Sequence, residues 1–192
     1  MQRAQFAYPA KPFWITQSWG IRNPIYDPLG FLKHNGIDFR HGADKKLYYP
    51  DREGEVVKKG FQPEGAGYYV VINTQKEYSF DDRVPGRNEH TFMHLEFPSH
   101  LEVGDKVRRG DLVGIPGNTG LSTGPHTHWR PRRFDRNNTF LDGPEANYSY
   151  DPMPYMINEF AQDQAAYFKM IDLLTSLKDK LFFLKVAHKE DV

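Results

Sequence analysis

Two short runs hold the side chains with the clearest chemical potential: HNGID, with His34 and Asp38 four residues apart, and HTH, with His126 and His128 two apart. On extended backbone an even spacing points both side chains of a pair to one face, so each run brings two donors together. Imidazole nitrogens and carboxylate oxygens are donors that tetrahedral zinc accepts, and the two runs together supply the three or four ligands such a site needs. A catalytic zinc keeps one position open for water. The chain has no cysteine, which removes disulfides, thiolate zinc sites and cysteine nucleophiles at once and leaves His, Asp and Glu as the available ligands. Either run alone is also what a turn or a satisfied core histidine produces. Both, however, abut glycine-rich turns, in GIDF and GNTGLSTGPHTH, where functional groups are commonly presented.

Other polar residues group around these runs. Asn118, Thr119, Ser122 and Thr123, on the turn before HTH, are candidates for binding a substrate backbone. His90 precedes His94 by four residues and on a regular strand would face the same side, as a surface or supporting residue. His41, His100 and His188 have no converging partner in the sequence, and Arg130, Arg132 and Arg133 read as a solvated basic rim beside HTH.

These residues need elements to position them. Lysine plus arginine and aspartate plus glutamate balance at 25 each over 192 residues, so no global field draws the chain to nucleic acid or an anionic membrane. Recognition must be local. No stretch approaches the roughly 20 apolar residues of a membrane span, and the first residues, MQRAQFAYPAKPFW, lack a leader's apolar run. Short segments such as GYYVVINT, HTFMHLEF and KVRRGDLVGI, punctuated by PEGAG and PGNTG, predict an antiparallel, mainly β domain over residues 1–153. FWITQSWGIR, from Phe13 to Arg22, reads as a further strand ending at Asn23-Pro24. The charged stretch KEYSFDDRVPGRNE is expected to be a long hairpin loop bordering a groove. From about Pro154 apolar residues recur at three- and four-residue steps through Ile157, Phe160, Tyr167, Ile171, Leu174, Leu177, Leu181 and Leu184, predicting a helical extension over 154–192 that packs on the β domain or on a second copy of itself.

SWGIR, HNGID, GYYVVI, FMHLE, VGDKVRRGDLVGIPGNTGLSTGPHTH and YDPMPYM follow one another in an order that resembles the lysostaphin-type or LytM-type zinc endopeptidases, across roughly residues 13–156. The resemblance implies a compact antiparallel β fold with a substrate groove, one zinc ion per chain, and hydrolysis of peptide bonds in bacterial peptidoglycan at the cell wall. Carried over position by position, it implies His34, Asp38 and His128 as zinc ligands and His94 and His126 as catalytic histidines. Phe92 stands where a Tyr is frequent, and Trp129-Arg130 replaces the common Phe-Glu after HTH, departures that bear on substrate preference. Absence of a leader leans toward a phage lysin or a trimmed chain.

Two other classes compete. VGDKVRRGDLVG also resembles the hairpins of lipoate or biotin carriers, but no lysine is displayed between small residues at a tight turn. A LytM-like module that has lost catalysis and binds or activates another wall hydrolase is the alternative; the five retained polar residues argue against it.

Overall fold

A computed structural model describes residues 2–24, 27, 30, 32–42, 44–81, 84–161, 163, 170 and 172–178. Its strands are β1 (Phe6–Tyr8), β2 (Trp14–Gln17), β3 (Ile37–Arg40), β4 (Leu47–Tyr48), β5 (Glu53–Gln62), β6 (Gly67–Asn73), β7 (Arg87–Leu95), β8 (Lys106–Arg108), β9 (Leu112–Gly114), β10 (Thr127–Phe134) and β11 (Met156–Phe160). Seven of them form one sheet in the order β2-β3-β10-β7-β6-β5-β8, every pairing antiparallel. The mainly β, antiparallel architecture expected from the sequence is the one the chain adopts.

Period-two patterning sorts the sheet into two faces. Ile37, Phe39, Val70, Ile72, Phe92 and Trp129 are fully buried on the core face. Burying each such side chain is worth roughly 1.5–3 kcal/mol, so this face supplies stability that the polar face cannot. The opposite face carries Asp38, Val71, Thr91, Met93, His128, Arg130 and Arg132, which line a groove. Aromatic and β-branched residues in β6 and β7 suit this half-buried, pleated setting.

Several local expectations differ from the structure. The strand expected over Phe13–Arg22 is only Trp14–Gln17, an edge strand with Trp14 59% exposed. No described residue of the loop between β6 and β7 lines the groove: Tyr78 and Phe80 are buried, and Phe80 meets the rings of Tyr150 and Tyr155 edge-on, so apolar burial draws these residues to the core side, while Glu89, at the end of the expected loop, lies on β7 and does line the groove. Ile157 and Phe160 belong not to a helix but to β11, which pairs in parallel with β1 and sets Phe160 5.5 Å from the Tyr8 ring. Short apolar runs satisfy either periodicity, and here an unpaired neighbouring strand decides. Residues 172–178 are helical, with Leu173, Leu174 and Leu177 exposed; Tyr167, Ile171, Leu181 and Leu184 lie outside the described residues.

Candidate metal centre and substrate groove

His34 enters from the loop before β3, Asp38 lies on β3 and His128 on β10, where Asp38 and His128 are cross-strand partners. The even spacing of His34 and Asp38 is thus not a shared strand face; a bend at Gly36 brings them together. That bend tolerates only glycine, because a Cβ there would lie 2.5 Å from the Trp129 carbonyl oxygen and 2.6 Å from His128 Nε2. Gly36→Ala is therefore expected to displace the His128 ring and weaken zinc binding by roughly 10–100-fold, the size of effect that lost ligand orientation produces. Competition with a chromogenic chelator measures it, and wild-type affinity in the variant would refute the packing argument.

The three donors form a tight triangle. His34 Nε2 is 3.1 Å from His128 Nδ1 and 3.2 Å from Asp38 Oδ1, and His128 Nδ1 is 2.9 Å from Asp38 Oδ1. His34 Nδ1 donates to the Ser18 carbonyl at 2.9 Å, which turns its Nε2 into the triangle. Asp38 Oδ1 offers lone pairs, and any proton on His128 Nδ1 satisfies only one side of the triangle. Three ligand-type atoms converging within 3.2 Å of one another suit a cation. Zinc–ligand bonds of about 2.0–2.1 Å give tetrahedral edges of roughly 3.3 Å, close to the separations here, and an N, N, O donor set without thiolate suits zinc.

Electrostatics keep the donors in their ligating states. Burial would raise the Asp38 carboxyl, but its hydrogen-bonding contacts with His128 and then His34 outweigh it and hold the group well below the usual carboxylate range. Burial pushes the His128 imidazole down to about 4 despite its hydrogen bond to Asp38, so the ring is neutral at neutral pH.

His94 and His126 flank the triangle, their ring centroids 4.8 Å apart, with the His94 centroid 6.2 Å from that of His128. His94 Nδ1 donates to the Thr119 carbonyl at 2.8 Å and His126 Nδ1 to the Gly124 carbonyl at 2.7 Å. Each ring thereby keeps its Nε2 lone pair for the groove, and His126 Nε2 stands 3.6 Å from Asp38 Oδ1. Burial holds His94 below the ordinary imidazole range. His94 has φ of +62°, a left-handed conformation costing a non-glycine residue on the order of 1–3 kcal/mol, and its backbone is clamped by bonds to Ala66 and Gly117. This reversal breaks the strand's alternation. His90 therefore faces the core, not the side of His94: it is fully buried, donates from Nε2 to Asp51 at 3.0 Å and accepts from Trp129 Nε1 at 3.1 Å.

The four turn residues divide. Ser122 and Thr123 line the groove, whereas Asn118 and Thr119 do not. Asn118 accepts from the Ser122 hydroxyl at 2.6 Å. Thr119 is used up in positioning: its hydroxyl donates to the Leu95 carbonyl at 2.7 Å and accepts from the Tyr68 N–H at 3.0 Å, while its carbonyl orients His94. The arginines are not a solvated rim. Arg132 pairs with Glu89, Arg133 pairs with Asp142 at 3.0 Å, and Arg130 is half-buried in the groove floor, where desolvation lowers it to about 10 and leaves it charged at neutral pH. Sequence reasoning missed Thr119 as the orienting group and Arg130 as a groove residue; alternation along β10 from His128 was the available signal for the second.

Two imidazoles and a carboxylate at the floor of a groove of about 660 Å³, with two more histidines beside them, form the arrangement that metal-dependent hydrolases use. The chain belongs to peptidase family M23, whose pattern matches residues 32–142. It is 33% identical over 130 residues to peptidoglycan DD-endopeptidase ShyA of Vibrio cholerae, a match covering 67% of this chain and 27% of that protein. A zinc-containing peptidase from Vibrio cholerae superposes with a TM-score of 0.55 at 25% identity, covering 79% of this chain and 40% of the other. The catalytic domain of lysostaphin from Staphylococcus simulans superposes with a TM-score of 0.52 at 26% identity, covering 76% and 92%. The matched part amounts to 18–31% of the length of the first curated relatives.

Proposed function

We propose that this chain is a zinc-dependent endopeptidase that hydrolyses peptide bonds in the cross-bridge or stem peptide of bacterial peptidoglycan, acting at the cell wall. The observation that carries the proposal is the triangle of ligand atoms from His34, Asp38 and His128 beside two histidines that turn their Nε2 atoms to the groove. Family membership and a relative named as a peptidoglycan DD-endopeptidase support the substrate class.

In this proposal His34, Asp38 and His128 hold the metal. A zinc ion so held would supply Lewis acidity and lower the pKa of bound water to about 7, making a nucleophile available at neutral pH. His94 and His126 do the proton work at their Nε2 atoms, one accepting a proton as the carbonyl is attacked and one donating to the developing oxyanion or the departing amine. Their Nδ1 bonds to backbone carbonyls fix the tautomer, so neither ring must reorganise. Thr123 offers its hydroxyl to the substrate backbone along one wall, beside Ser122, whose own hydroxyl is tied to Asn118 and Gly124.

Dialysis against a chelator is expected to abolish cleavage of purified peptidoglycan, and stoichiometric zinc to restore it. Cleavage that persists with no bound metal overturns the proposal; zinc binding without cleavage of any wall type points instead to a silent module that binds another hydrolase.

A further inference from the structure

We propose that Arg130 grips a carboxylate of the substrate peptide roughly 7 Å along β10 from the metal centre, two residues' rise, so that the groove prefers an anionic cross-link to an uncharged one. The inference rests on the peptidase reading above and assigns that site its substrate class. Along β10, His128, Arg130 and Arg132 all line the groove. Arg132 and Arg133 have carboxylate partners in Glu89 and Asp142. Arg130 has none among the described residues: its Nη2 lies 3.4 Å from the Thr91 hydroxyl, and its Nε is buried with no hydrogen-bond partner.

Five N–H donors on a half-buried guanidinium, with one long hydrogen bond among them, are an open demand, because buried polar groups are ordinarily paired. The surroundings point to an anion as the missing partner. Arg130 pairs across the sheet with Thr91, Thr91 with Val71 and Val71 with Lys58, which places a second cation in the same row of the groove floor, its ammonium 5.8 Å over the Tyr69 ring. Of the carboxylates lining the groove, Asp38 belongs to the metal triangle and Glu89 is taken by Arg132. Positive charge beside the centre is thus uncompensated by the groove's own acids. A planar guanidinium meets a carboxylate through two parallel hydrogen bonds, which selects it over a carboxamide of the same shape. Stem peptides of peptidoglycan carry free carboxylates close to their cross-links, whereas a glycine bridge carries none along its length.

The test uses a cross-linked peptide dimer with its free carboxylates intact and the same dimer with those groups amidated, offered to the zinc-loaded full chain. Wild type is expected to favour the carboxylate form in kcat/KM by roughly 10–100-fold, the effect of one charge-assisted contact. In R130Q the ratio should fall to about one and in R130K to an intermediate value, with zinc content equal to wild type in both. A wild-type ratio near one, or an undiminished ratio in R130Q, overturns the proposal. Should zinc-loaded wild type cleave neither dimer, the peptidase reading fails by itself. Calorimetric Kd values then decide: tighter binding of the carboxylate form that R130Q loses upholds the role of Arg130, and equal affinities overturn it.

Discussion

Replacing His128 with alanine is expected to remove both bound zinc and all measurable hydrolysis. Two donors, His34 Nε2 and Asp38 Oδ1, would remain 3.2 Å apart, too few for a site that needs three protein ligands and an open position. The substitution also unseats Asp38, whose carboxylate loses its 2.9 Å neighbour and much of what holds it ionised against burial. Metal affinity should fall beyond the range in which stoichiometric zinc loads the protein. The fold should survive: His128 is on the groove face, while the adjacent core residue Trp129 keeps its place. Metal analysis after gel filtration, with circular dichroism as the control, checks this. Full zinc occupancy in a folded variant would exclude His128 as a ligand.

His94→Ala should behave differently, keeping the metal and losing turnover by roughly 10²–10⁴-fold, the usual worth of a positioned proton-transfer group. His94 is outside the donor triangle, and its Nδ1 is committed to the Thr119 carbonyl, so the ring's contribution is its Nε2. On the proposed mechanism the two histidines, 4.8 Å apart ring to ring, serve one reaction, and the double variant should cost much less than the product of the single losses. Multiplicative losses would mean that the two act independently. Unchanged kcat with full zinc content would remove His94 from the chemistry. Alanine at this left-handed position keeps the strain, so a comparison with His94→Asn, a residue that tolerates positive φ, separates lost chemistry from lost stability.

Much of the site was legible in the chain because its donors sit in short, local patterns. His128 on β10 and the aspartate of HNGID on β3 needed only the alternation of a strand, and the absence of cysteine narrowed the ligand types to nitrogen and oxygen. Alternation failed where the backbone departs from it. His90 and His94 share a parity but not a face, since the positive φ of His94 is held by its hydrogen bond to the Ala66 carbonyl and one from the Gly117 N–H, residues distant in sequence. Asn118 and Thr119 looked equivalent to Ser122 and Thr123, yet the approach of the turn to β6 and β7 consumes the Thr119 hydroxyl and carbonyl.

Residue type and short-range spacing determined the antiparallel strands, the donor chemistry and the family resemblance, since each depends on properties of a few neighbouring residues. Tertiary structure alone decided which residues pair with which: β11 as the partner of β1 where a helix was expected, glutamate and aspartate for two arginines, and, among the described residues, no carboxylate for Arg130. Partners of that kind come from strands tens of residues apart, and local periodicity carries no information about which distant group will stand within hydrogen-bond reach.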